Sequence, residues 1–133
     1  MNKFELSSAF LIGHEKIDSD HVALVETLNV MVDAFTAKDI ETCQKTWLHF
    51  CGQLKQHFID ETKIMNDFGY IEKDQGNDHQ EILKHINTLG QDHNSLSDWE
   101  DCLLEMRNNL LSWILKHDLR FAQHLITIGY NPL

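Results

Sequence analysis

The sequence is short of proline. Its single proline, Pro132, stands beside the C-terminus, so no interior proline kinks or breaks a long helix. Basic residues are scarce as well: 11 Lys and Arg face 21 Asp and Glu, a formal net charge of −10. A surface of that sign repels polyanions, so neither nucleic acid nor an anionic membrane is expected as a partner. Cysteine occurs only as Cys43, Cys51 and Cys102. These form no CxxC pair, no even framework and no CxxCH haem attachment, and they read as reduced thiols. No apolar run approaches the roughly 18 residues of a membrane span, and Met1 to Glu5 lack the apolar core of a signal peptide. Strand-like alternation, low-complexity runs and internal repeats are missing too. The expectation is a soluble, acidic, cytoplasmic protein.

What is present is helical periodicity. With 42% apolar residues in 133, the chain suits one domain, taken as 1–133. Residues 1 to 16 read as an N-terminal arm that packs across one end. A first helix is expected from Asp18 or Ser19, both good N-caps, to about Ala37. Its inward face carries His21, Leu24, Leu28, Met31 and Phe35. Asp39 is expected to cap a second helix reaching about Asp67, with an inner stripe of Cys43, Trp47, Phe50, Leu54, His57, Glu61 and Met65. Gly69 ends that pattern. A third helix starts between Glu72 and Asn77 and turns Gln75, His79, Ile82, Ile86 and Leu89 to one side. The fourth runs from Ser97 or Asp98 to about Ile128 with a wide stripe that includes Trp113, Ile114, His117, Asp118, Phe121 and Leu125. Four amphipathic helices with short links imply an all-α, up-down-up-down four-helix bundle.

Chemistry enters where titratable residues fall on the apolar stripes. His57 and Glu61 are four residues apart, so one helix face projects both toward one point. A buried imidazole and a buried carboxylate are costly unless each finds a partner. His21, His79 and the adjacent His117 and Asp118 come from the other three helices. In a bundle they can meet on the axis, where imidazole and carboxylate together suit iron, manganese or zinc. His14, His49, His85, His93 and His124 read as solvated, and the tryptophans as core.

Several of these residues also carry a resemblance. Ile12-Gly13, Ile17-Asp18-x-x-His21, His57-x-x-x-Glu61 and Gly69-Tyr70 ahead of a third-helix histidine resemble the hemerythrin family, its bacterial members especially, over nearly the whole chain. The resemblance implies a non-haem di-iron centre that binds dioxygen reversibly and is held by five histidines and two bridging carboxylates. It implies His21 and His57 on one iron and Glu61 bridging both. On the third helix the family carries His-x-x-x-His. Here His79 matches the second position, and Gln75 stands at the first. On the fourth helix two registers compete. Asp118 followed by Phe121 fits the family's bridging Asp and places Trp113 where a histidine belongs. Trp113-x-x-x-His117 fits the family's Trp-x-x-x-His and places Ala122 where the Asp belongs. Both remain open, so the expected metal residues are His21, His57, Glu61, His79, His117 and Asp118, around two iron ions with an altered second site.

Neutral imidazoles leave a metal pair less electron-rich than a carboxylate-dominated site, and the paired Glu-x-x-His motifs of di-iron oxidases are missing. The expectation is therefore a protein that binds dioxygen without being an enzyme. Bacterial members of the family occur as sensory domains joined to output modules such as a diguanylate cyclase or a chemotaxis receptor, so an oxygen or redox sensor domain is one expected role. A bundle with one metal or none, acting through protein contacts, is the alternative.

Overall fold

Helix boundaries in this chain are set by identifiable caps. The structure is a computed structural model that describes residues 3–6, 11–70, 75–90 and 95–130, apart from the side chains of residues 75–78, 110, 111 and 113. Helix α1 spans Glu15–Thr36 and α2 spans Ile40–Asp67. As the sequence suggests, Asp39 caps α2, its carboxylate accepting the Thr42 N–H at 3.1 Å. The end of α2 is equally legible. Gly69 takes a φ of 68°, and the Tyr70 N–H donates to the Met65 carbonyl at 2.9 Å. That is the glycine-dependent closure of a helix C-terminus, which a residue with a Cβ adopts only under strain.

The start of α1 differs from expectation. His14, not Asp18 or Ser19, is the N-cap, its Nδ1 accepting from the Ile17 N–H at 3.4 Å. Asp18 sits in the first turn and reaches back, accepting the N–H groups of Ile12 at 2.8 Å and Gly13 at 3.2 Å. A cap-forming carboxylate is there, but it fastens the arm. The arm is held again at Phe4, whose N–H donates to Asn29 Oδ1 at 2.6 Å and whose carbonyl accepts from Asn29 Nδ2 at 3.0 Å.

Helix α3 spans Gln75–Leu89. The fourth helical stretch is not one regular helix. It comprises α4, Leu96–Glu105, a π-helical segment at Met106–Leu110, and α5, Leu111–Thr127. Ser95 caps α4, accepting from the Asp98 N–H at 3.2 Å. No strand occurs among the described residues, and none of their helices is long and apolar enough to cross a membrane. The architecture is a four-helix bundle.

Two apolar clusters fill it. The larger includes Phe4, Leu24, Leu28, Trp47, Leu54, Phe58, Ile82, Trp99 and Ile114. The smaller gathers Ile12, Ile17, Met65, Phe121, Ala122 and Leu125 toward the other end. Burial of such side chains, each contributing about 1.5–3 kcal/mol, holds the helices together more than intrinsic propensity does. Along α1 the two clusters are separated between Ile17 and Leu24, along α2 between Phe58 and Met65, and along α5 between Ile114 and Phe121. His21, Glu61 and Asp118 lie in that gap, with His57 at its edge.

Candidate metal centre

Each helical stretch delivers buried donors to the gap. α1 supplies His21, α2 supplies His57 and Glu61, α3 supplies His79 and α5 supplies Asp118. All five are at most 7% exposed, and Thr27 is the only other buried polar residue described. His21, His57, Glu61 and Asp118 each offer a ligand atom within 4.8 Å of the others. His57 Nε2 lies 2.9 Å from Glu61 Oε2, and His79 Nε2 lies 3.2 Å from Glu61 Oε1. Asp118 Oδ2 is 3.7 Å from His57 Nε2 and pairs directly with His21 Nε2. The third-helix donor is held by ring stacking: His79 lies parallel to Phe58 with centroids 3.9 Å apart.

Proximity is not the same as satisfaction here. His57 Nε2, both Glu61 oxygens, His79 Nε2 and Asp118 Oδ1 are all buried without a hydrogen-bond partner of acceptable geometry. A native interior rarely leaves one such atom stranded, because each costs about 1–3 kcal/mol. Five facing one another form a set that a cation would satisfy at once. Nitrogen and carboxylate oxygen donors in that mixture suit a first-row transition metal.

Without a cation the charges must share protons. Burial and the neighbouring Asp118 carboxylate push Glu61 above the usual carboxylate range. Burial acts in the same sense on Asp118, but its close neighbours Glu61, His21 and His57 outweigh it and hold Asp118 low. Burial would lower His57, yet the facing carboxylates of Asp118 and Glu61 raise it to about 10.

One contributor was missed in the sequence. Asp20 Oδ2 lies 3.0 Å from His57 Nδ1, so with a cation bound the imidazole would donate there and turn its Nε2 lone pair toward the cluster. A carboxylate behind a ligating histidine fixes its tautomer and orientation in this way. Lys16 holds Asp20 in turn, with Nζ 2.7 Å from Oδ1. Burial would raise the Asp20 carboxyl, but Lys16 and His57 bring it below its usual range. The available signal was position: Asp20 precedes a candidate ligand on α1, the helix that faces His57 on α2.

His117 is half-buried and stands outside the four-residue group, whereas Asp118 lies within it. The side chains of Gln75 and Trp113 lie outside the described residues, as does His93. Of the histidines read as solvated, His49 is exposed. His85 is half-buried, with Nε2 3.0 Å from Glu105. His14 and His124 depart from that reading. His14 caps α1, and His124 is half-buried and donates to the Phe68 carbonyl at 3.2 Å. Both join an aromatic cluster with Phe68, Tyr70, Phe121 and Tyr130. The three thiols are free, and none belongs to the centre. Burial pushes Cys51 up to about 11 and Cys102 up to about 12.

The hemerythrin HHE cation-binding domain model matches residues 12–126. The chain belongs to the hemerythrin family. A comparison with curated proteins found no match. In this hemerythrin domain the matched region contains all five donors and Asp20. The family's description as cation-binding agrees with the stranded donor atoms of the gap, and the chain is a metal-binding domain of helical-bundle type.

Proposed function

We propose that this domain is a non-haem di-iron protein that binds dioxygen reversibly, in the cytoplasm, as an oxygen or redox sensor domain or an oxygen-binding protein and not as an enzyme. The observation that carries a two-ion reading is Glu61. Its Oε2 faces His57 at 2.9 Å and its Oε1 faces His79 at 3.2 Å. A carboxylate with a different imidazole on each oxygen is disposed to bridge. His21 and His57 would hold one iron and His79 the other, with Glu61 and Asp118 shared. Reduced iron would supply the electron density that bound dioxygen draws upon. The protein contributes a dry site between two apolar clusters, a mostly neutral nitrogen donor set and the Asp20 brace on His57. With His79 the only α3 donor at the centre among the described side chains, coordination positions would remain for a small exogenous ligand. That suits a sensor, whose output partner would be a signalling module such as a diguanylate cyclase or chemotaxis receptor.

A single-ion centre is the second reading. It is favoured by the convergence of four donors within 4.8 Å, enough for one metal alone. Iron content per chain separates the two. Two equivalents, with a visible absorption band that appears when the reduced protein meets oxygen and fades on its removal, support the first. One equivalent, or no oxygen-dependent band, supports the second. Glu61→Ala is expected to release both irons and His85→Ala to release none, as measured by metal analysis after desalting. Full iron content in Glu61→Ala would remove the bridging role.

A further inference from the structure

The π segment Met106–Leu110 joins two helical stretches that are out of phase. An α-helix turns about 100° per residue. Continued unbroken from the buried pair Leu103 and Met106, it would bring His117 within about 10° of their shared inward direction and leave Asp118 about 90° away. Leu115 and Ala122 would then face solvent. The structure has the opposite pattern. Leu115 is 3% exposed, Ala122 9% and Asp118 1%, while His117 is only half-buried. A π turn closes i→i+5 rings and so holds about one residue more than an α turn, and everything after it lags by about 100°. With that lag Asp118 comes within about 10° of the inward direction and His117 falls about 110° from it. The burial of Leu115 and Ala122 follows from the same shift.

We propose that the π segment is the element that selects the fourth-helix donor, admitting the Asp118 carboxylate to the centre and turning the adjacent His117 imidazole out. The choice determines chemistry. A carboxylate brings negative charge and two oxygens that can bridge, whereas an imidazole brings one neutral nitrogen. This inference rests on the reading of the gap as a metal centre, but the register itself can be tested without metal.

Removing one residue from the segment should straighten it into a plain α turn and leave the direction of everything after it unchanged, since the missing residue offsets the lost lag of about 100°. Asn108 is exposed, so its deletion removes no packed side chain. In the unmodified chain, Asp118→Ala should weaken iron(II) binding by about 100-fold or more, since even a partner that only orients a ligand is worth about 10–100-fold, and His117→Ala should leave it unchanged. On the Asn108-deleted background the dependence should stay as it was, with Asp118→Ala weakening binding and His117→Ala harmless, because an α turn with one residue fewer sets Asp118 in the direction the π turn gives it. An unmodified chain that needs His117 and ignores Asp118, or a deleted chain that no longer needs Asp118, overturns the proposal. Should the deleted chain fail to fold, Leu115→Glu and Ala122→Glu decide in its place. A marked fall in the Tm of the metal-free protein for both supports the shifted register, and unchanged Tm values mean the helix is unbroken in solution and the proposal is wrong. If the unmodified chain binds no iron, the metal reading fails, and the two glutamate variants still judge the register.

Discussion

Glu61 and Asp20 show how much one carboxylate can do according to what it faces. Glu61 was legible as a ligand candidate because its spacing from His57 put both on an apolar stripe. Asp20 was not, because its role depends on a partner from another helix, 37 residues along the chain. The Asp20–His57 contact makes a definite prediction. Asp20→Ala should reduce metal affinity about 10–100-fold while leaving every donor in place. Asp20→Asn, whose amide oxygen can still accept from Nδ1, should recover much of the loss. A metal titration followed by competition with a chelator measures both, and equal affinity in all three proteins would deny Asp20 any part in positioning. His14 and His124 were misread for a related reason. A histidine at the edge of a stripe looks solvated until the caps and aromatic neighbours that occupy it are known.

Helix α2 was readable from end to end, since an Asp cap and a terminal glycine bracket an uninterrupted stripe. Helix α1 was not, because Asp18 has the chemistry of a cap yet spends it on the arm. The π segment left no mark at all. Met106-Arg107-Asn108-Asn109-Leu110 contains neither glycine nor proline, and the stripe up to Leu110 fits either register. That is why His117 and Asp118 could not be separated by periodicity. The junction between α1 and α2 carries a further testable strain. Lys38 takes a φ of 61°, a left-handed conformation that costs an L-residue roughly 1–2 kcal/mol. Glycine adopts it freely but loses about 0.5–1 kcal/mol of chain entropy on folding. Lys38→Gly should therefore stabilise the fold by up to about 1 kcal/mol, seen as a higher urea midpoint with an unchanged slope. A lower midpoint would show that the turn is unstrained.

Across the whole molecule, the fold class followed from four stripes, but the layering did not. Nothing in a one-dimensional pattern shows that the core is divided, with buried polar groups between a larger and a smaller apolar cluster. The division has a thermodynamic cost when the donors stand without a cation, because stranded buried groups oppose folding. Metal that binds only the folded chain should raise stability by about 2.7 kcal/mol at a free concentration near 100 times its Kd. Scanning calorimetry with and without iron(II) measures this directly, and an identical Tm in both would argue against binding at the gap.

The same layering gives the ion a mechanical office. It acts as a rivet between two hydrophobic blocks, clamping a layer where crowded acids and imidazoles otherwise meet without it. A loaded chain should come apart in one sharp event, and a stripped one should loosen first around Phe121 and Met65, the lesser block, before the tryptophan-lined end gives way.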